Sequence, residues 1–184
     1  MKKIFALALV LFCMQDSFAQ KEASSGTRIF KKFKTDVSLG YAIPQGSGTK
    51  GGVLFVIEPK YAVIEQLSVG LRMEGAALAN VDLNGETGKV RVLASYIATG
   101  DYYFNNNKFR PFGGLGGGIF TMASIDIEDT GTEIPSSSSF GFMARAGFEY
   151  GHFRMGVEYN FLKEKAGYLG IKIGACIGGG RLKN

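Results

Sequence analysis

The sequence has no tryptophan, one histidine, two cysteines and four prolines in 184 residues. Beyond its first twenty positions it also has no apolar run long enough to cross a bilayer as a helix, which takes ~18–20 residues. A single histidine, His152, leaves little scope for the imidazole-based triads of hydrolases or for histidine-rich zinc sites. Of the cysteines, Cys13 lies in the N-terminal segment, so its removal leaves Cys176 alone and no intramolecular disulfide can form. No run of Lys and Arg interleaved with aromatics suggests a nucleic-acid partner. The basic group Arg28, Lys31, Lys32 and Lys34 reads as a solvated N-terminal tail.

The N-terminus carries an export signature. Met1-Lys2-Lys3 is followed by an apolar run from Ile4 to Met14, and then by Ser17-Phe18-Ala19, with small residues at the two positions a signal peptidase inspects. The run, about eleven residues, is too short for a membrane helix. A lipoprotein signal would need a small residue before Cys13, where Phe12 stands. Residues 1–19 are therefore expected to be a cleaved signal peptide, 20–32 a short periplasmic tail, 33–177 the folded domain and 178–184 a C-terminal tail. Loss of Lys2, Lys3 and Asp16 lowers the formal net charge of +5 by one, which leaves the chain mildly basic.

What the sequence does have is a two-residue period. Residues 153–161 read Phe-Arg-Met-Gly-Val-Glu-Tyr-Asn-Phe, with Phe153, Met155, Val157, Tyr159 and Phe161 on one face and Arg154, Gly156, Glu158 and Asn160 on the other. The pattern recurs and predicts strands at 33–43, 52–62, 67–78, 90–104, 109–122, 140–150, 153–161 and 168–177, each about the ~9–11 residues a tilted strand needs to cross hydrocarbon. The connections at 45–51, 79–89 and 123–139 are long or rich in Gly, Ser and Asp, whereas 63–66, 105–108 and 151–152 are tight. Segregation of long loops to one end and tight turns to the other is the habit of outer-membrane barrels.

One predicted face is free of charge: Val37, Leu39, Tyr41, Ile43, Val53, Phe55, Ile57, Val69, Leu71, Met73, Val92, Tyr96, Tyr102, Leu115, Ile119, Phe142, Phe148, Tyr150, Leu169, Ile171, Ile173 and Ile177. A Lys or Arg there near mid-membrane would cost ~2–4 kcal/mol. Tyr41, Tyr61, Tyr102, Phe104, Phe109, Phe140, Tyr150, Phe153, Phe161 and Tyr168 cluster near strand ends, where aromatic girdles belong. The opposite face carries the acids Asp36, Glu58, Glu74, Asp101, Glu149 and Glu158 and the bases Lys60, Arg72, Arg91, Arg110, Arg145, Arg154 and Lys172. An eight-stranded barrel is just wide enough for side chains to fill it, so these groups are expected to pair as a structural salt-bridge network in the lumen. Glycines 113, 114, 116, 117 and 118 leave the fifth strand bare and give space to inward neighbours such as Phe112 and Phe120. They lack the GK[ST] element and following helix of a phosphate loop.

The fold class is therefore all-β, an eight-stranded antiparallel up-and-down transmembrane β-barrel. In this arrangement the chain resembles the small outer-membrane barrels of the OmpX and OmpA transmembrane-domain type, in the porin-like form found in Bacteroidetes. The residues that carry the resemblance are Ser17-Phe18-Ala19-Gln20, Glu58-Pro59-Lys60-Tyr61 running into Leu67-Ser68-Val69-Gly70-Leu71-Arg72, Pro111-Phe112-Gly113-Gly114, and Tyr168-Leu169-Gly170-Ile171-Lys172-Ile173-Gly174. The resemblance implies an architecture and carries no catalytic residues. The chain departs from it where the last strand runs on through Gly178-Gly179-Gly180-Arg181-Leu182-Lys183-Asn184 in place of a terminal aromatic. Pro59, inside a strand, predicts a bulge or a gap in the ladder.

Reactive constellations are sparse. His152 falls in a turn at one end and the serines 136–139 and Ser124 at the other, so a Ser-His dyad is not expected. Glu149 and Glu158 alternate with Arg145 and Arg154, which favours salt bridges over acid-base work. Asp126, Glu128, Asp129 and Glu133 read as a solvated loop rather than a cation site. The expectation is a non-enzymatic, monomeric barrel in the outer membrane, with no cofactor, no metal and no nucleic acid. Lipid surrounds its wall, and loop 123–139 is offered to an extracellular partner or serves envelope integrity. Transport of small solutes or small hydrophobic molecules is the alternative. A soluble ligand-binding barrel would need an apolar interior and a polar exterior, the inverse of these faces.

Overall fold

The computed structural model describes residues 29–45, 49–80, 89–126, 136–162 and 167–179, without the side chains of 49–50, 78–80, 89–91, 124–126 and 136. The expected signal peptide and most of both tails lie outside these residues. Eight strands alternate direction: β1 (Phe33–Pro44), β2 (Thr49–Ala62), β3 (Leu67–Asn80), β4 (Lys89–Tyr103), β5 (Phe109–Asp126), β6 (Ser136–Tyr150), β7 (Phe153–Phe161) and β8 (Tyr168–Gly178). Each pairs with its sequence neighbour, and β8 returns to β1 from Lys34↔Gly178 to Pro44↔Tyr168, closing an antiparallel barrel without edges.

The strands follow from the alternation, because closure lets every backbone group pair while each side chain faces either lumen or exterior. Pro59 opens the ladder as expected. β2 and β3 pair at Ile57↔Met73 and resume at Lys60↔Gly70 in unchanged register, with a gap between them and no bulge. The irregularity in that pair sits elsewhere, between Thr49 and Gly52.

The expected loop at 123–139 is shorter than the sequence suggests. β5 runs on to Asp126 and β6 begins at Ser136, with Thr121↔Ser138, Met122↔Ser137 and Ala123↔Ser136 in register. Thr121 and Ser138 share a hydroxyl hydrogen bond of 2.9 Å across the strands, so small hydroxyl residues that resemble loop composition here extend the ladder. Turns at one end occupy residues 63–66, 104–108 and 151–152, and Gly151 at φ +62° makes the tightest of them. At the opposite end the connections at 81–88, 127–135 and 162–167 are longer, whereas that at 45–48 is as short as the turns and shorter than the expected 45–51; both described chain termini lie at the turn end.

The outer wall is apolar. Leu115 is 71% exposed, Phe142 61% and Ile177 63%, and no charged side chain interrupts the wall among the described strand residues. Two aromatic belts edge it. Phe33, Tyr61, Tyr102, Phe104, Phe109, Tyr150 and Phe153 are exposed at the turn end, and Tyr41, Tyr96, Phe140, Phe142 and Phe161 toward the loop end. Tyr168 does not belong to a belt: it is 1% exposed and points into the lumen, in phase with Gly170 and Lys172. Room for the large inward rings comes from glycines of β6 and β7 rather than of β5. A Cβ on Gly147 would stand 2.9 Å from the Phe112 ring and 2.2 Å from the Met155 carbonyl.

Candidate functional site

The barrel's chemistry is concentrated in its lumen. Inward positions of β1, β2, β4, β6 and β7 near the turn end place Asp36, Glu58, Lys60, Asp101, Arg145, Glu149 and Arg154 together, all buried. Arg145 sits at the centre. Its Nη1 and Nη2 donate to the two Glu58 carboxylate oxygens at 2.7 and 2.6 Å, and its Nε donates to Asp101 Oδ1 at 2.7 Å. Such a fork on a carboxylate fixes geometry as well as charge. The neighbouring strand must be bare for this to fit, since a Cβ on Gly114 would lie 2.2 Å from Asp101 Oδ1.

Lys60 Nζ bridges Asp101 at 2.6 Å and Asp36 at 2.5 Å, and Arg154 Nη2 donates to Asp101 Oδ2 at 2.8 Å. Arg154 also pairs with Glu149 and lies 3.6 Å from the Phe112 ring centre, a desolvated cation–π contact. A second cluster lies farther along the lumen. Arg72, fully buried, pairs with Glu74 and Glu158, and Lys172 pairs with Glu158. Arg145 and Glu158 are register partners, yet Arg145 turns to Glu58 and Asp101, and Glu158 to Arg72 across the lumen and to its diagonal neighbour Lys172 on β8. Adjacent-strand alternation is right for one of the two expected pairs: Glu149 and Arg154 are register partners and do pair, whereas Arg145 and Glu158 are engaged elsewhere.

Of the thirteen residues expected in the network, Arg110 stands apart and Arg91, in β4, is not described beyond its backbone. Among the described residues Arg110 has no carboxylate within ion-pair distance; its Nη2 donates to the Glu65 carbonyl at 2.7 Å.

Lys34 is a correction in the other direction. It is no solvated tail residue but 7% exposed, donating to the Tyr103 hydroxyl at 2.6 Å and paired with Glu149 at 2.5 Å. The signal was present, because Lys34 is two residues before Asp36 and shares its face. Thr99 and Tyr103 were also missed. They donate to Glu58 and Glu149, each at 2.5 Å, and are in phase with Asp101.

Loop-ward of the charges the lumen is apolar: Ala42, Leu54, Val56, Ala76, Leu93, Ile97, Phe120, Met143 and Tyr168 pack into one cluster. The Tyr168 hydroxyl reaches out of it to donate to Glu74. Between the side chains of the charged half a void of about 20 Å³ remains, room for one water.

His152 and the serines do not meet. His152 is in the β6–β7 turn with Nδ1 2.8 Å from the Cys176 carbonyl, whereas Ser136 to Ser139 begin β6 at the far end. At ~3.3 Å per residue that is about 40 Å along the strand. Asp36, Glu149 and the buried Cys176 do converge, with possible ligand atoms within 4.8 Å of one another, which sequence spacing could not reveal. Lys34, Lys60 and Arg154 already pair with both carboxylates, so a metal ion would have to displace an ammonium or guanidinium.

No protein-family model matches the chain, and no curated protein does. Solved structures do. Neisserial surface protein A (NspA) aligns over 82% of this chain and 99% of its own, with 17% identity and a TM-score of 0.63. The chain has the fold of the small eight-stranded outer-membrane β-barrels. Ail, the attachment invasion locus protein of Yersinia pestis, was solved with the heparin analogue sucrose octasulfate; it aligns over 83% of this chain and 100% of its own, at 17% identity and a TM-score of 0.48. OprG from Pseudomonas aeruginosa covers 83% and 95%, at 12% identity and 0.49. At these identities the likeness speaks for fold alone, and such a fold hosts unrelated functions.

Proposed function

We propose that this protein is a non-enzymatic outer-membrane barrel with a closed lumen, which works through its loop end, at the cell surface, rather than through its interior. The observation that carries the reading is the inversion of inside and outside. Among the described residues the wall exposes apolar, aromatic and small side chains and no charge, while the lumen buries paired charges at one end and an apolar plug at the other. A wall of this kind is costly in water and suited to hydrocarbon. With eight strands and both termini at the tight-turn end, the usual orientation puts that end in the periplasm and the longer connections outside. The export signature at 1–19 supports the same placement.

Closure is supported by packing. Leu54, Ile97, Phe120 and Met143 fill the loop-ward lumen at 0–1% exposure, and the central ion pairs leave space for about one water, the lumen widening in a vestibule at the turn end. A solute path would need these side chains to move, so the packing favours a surface or envelope role over porin-like transport. The connection between β5 and β6 remains the best candidate for partner contact. Its central residues, 127–135, lie outside the described ones, and its hydroxyl-rich base is ladder.

The test is cell fractionation with a gel-mobility comparison of boiled and unboiled protein, followed by planar-bilayer recording. Recovery in the outer membrane, a mobility shift on boiling and no steady conductance are expected, and replacement of 127–135 by Gly-Ser is expected to alter surface binding or envelope sensitivity without altering the mobility shift. Soluble periplasmic recovery would overturn the placement, and reproducible channel steps would overturn the closed lumen.

A further inference from the structure

The lumen's charges do not cancel at the turn end. Seven bases and six acids are buried among the described residues. Six of the bases, Lys34, Lys60, Arg72, Arg145, Arg154 and Lys172, are in ion pairs. The seventh is Arg110. It is 7% exposed, its guanidinium is stacked 4.0 Å from the Phe30 ring centre and 4.2 Å from that of Tyr103, and its Nε–H has no partner among the described residues. A buried charge without a counter-charge is destabilising, and a bound anion removes that cost.

Space for an anion is present. Arg110 lines a cavity of about 230 Å³ at the turn end, whose wall also carries Lys34 and Lys108. The acid in that wall, Glu149, is already engaged by Lys34, Arg154 and the Tyr103 hydroxyl. Glu65 turns its carbonyl to Arg110 and accepts the Ile29 N–H on Oε1 at 3.2 Å; its Oε2 is buried without a hydrogen-bond partner among the described residues, and no ion pair joins it to Arg110. The cavity is smaller than the ~300–1,000 Å³ of pockets for drug-sized ligands and has room for a small anion. Its cations stand on three elements: Lys34 on β1, Lys108 in the β4–β5 turn, whose ammonium rests 4.9 Å from the Tyr150 ring centre and can swing in on its flexible stem, and Arg110 on β5. One guanidinium fork suffices for a flat carboxylate, whereas donors on several sides suit the tetrahedral oxygens of a phosphate.

We propose that this vestibule binds a phosphate group, with Arg110 as its buried anchor and Lys108 and Lys34 completing the cradle. The same chemistry is offered by free phosphate and by the phosphate of an anionic phospholipid headgroup at the periplasmic surface. The test uses the full mature barrel folded in an uncharged detergent, at ionic strength held constant with chloride, and follows the ³¹P resonance during titration with inorganic phosphate or with a short-chain phosphatidylglycerol. Saturable broadening by either probe is expected, with affinity weakened about tenfold or more in Arg110→Gln, the loss of one charge-assisted contact. A response to inorganic phosphate identifies a free-anion site; a response to phosphatidylglycerol alone identifies a headgroup site. The exposed Lys108→Gln variant gives an independent reading should Arg110→Gln fail to show the boiling shift, and a severalfold weakening is expected there. The absence of saturable binding to both probes would overturn the proposal, as would binding that both variants leave unchanged.

Discussion

The two halves of the lumen are built on the same strands with the same two-residue alternation, yet they are held by opposite means. Toward the turns, Glu58, Lys60, Asp101, Arg145, Glu149 and Arg154 are buried only because each faces an opposite charge. Toward the loops, Ala42, Leu54, Leu93, Ile97, Phe120 and Met143 are buried because they are apolar and fit. The difference concerns specificity. An apolar plug accepts any arrangement that fills the volume, whereas a charged cluster accepts only the register that brings Arg145 to Glu58 and Asp101. A one-residue slip would also turn these charges into the wall, so the charged half defines register and the apolar half supplies burial.

The sharpest way to break the comparison is Arg145→Met, which keeps much of the volume but leaves Glu58 and Asp101 with fewer counter-charges. Loss of one partner of a buried pair costs about 3–5 kcal/mol. The expected outcome in urea unfolding, followed by the gel shift in lipid vesicles, is a destabilisation of that size. Adding Glu58→Gln should return part of it, because the orphaned carboxylate is gone. A single variant within about 1 kcal/mol of the parent would show that the charged half is not held by pairing, given the cost just cited for a broken pair.

The matching change in the other half is Leu54→Ala. Leu54 is fully buried, and truncation of a core leucine costs about 2–5 kcal/mol depending on how far the cavity collapses. We expect a value near the middle of that range from the same assay. Unlike Arg145→Met, it should not be rescued by any second truncation, since the loss is of contact and transfer energy rather than of a counter-charge. Rescue by a larger neighbour, such as Ala76→Val, is the signature of packing.

Most of this fold is legible in the sequence because the barrel obeys a local rule. A lipid-facing wall and a filled lumen force strict alternation, so strand β7 at 153–161 and the turns at 63–66 and 151–152 follow from reading the chain two residues at a time. Alternation supplies partner choice only between adjacent strands, where Glu149 meets Arg154. Glu158 sits beside Arg145 in register but is also engaged by Arg72 from across the lumen, and nothing in the spacing of β3 and β7 announces that contact. The errors at Lys34, Tyr168 and 136–139 have a different origin. In each, residue type outweighed phase: a lysine near basic neighbours suggested a tail, a strand-end tyrosine a girdle, and a serine run a loop. At Lys34 and Tyr168 the parity of adjacent residues already pointed inward. Arg110 shows the limit from the other side, because its phase was right but its counter-charge is not supplied by the described chain.

Tyr168 is where the halves meet, and it tests whether the boundary between them is sharp. Its ring belongs to the apolar cluster, and its hydroxyl donates to Glu74, whose other oxygen is engaged by Arg72. Tyr168→Phe removes the hydroxyl and leaves the ring, so the apolar half loses nothing. Glu74 loses a neutral donor but keeps its guanidinium, and a hydrogen bond to a charged group is worth about 1.5–3 kcal/mol. The expected destabilisation lies at the lower end of that range, below both earlier variants, because Arg72 still compensates the charge. A larger loss, rivalling Arg145→Met, would mean that Glu74 depends on the plug for its burial, and that the two halves act as one cooperative network. A loss near zero would mean that Arg72 alone satisfies Glu74, and that the apolar half could be redesigned freely down to the first charge.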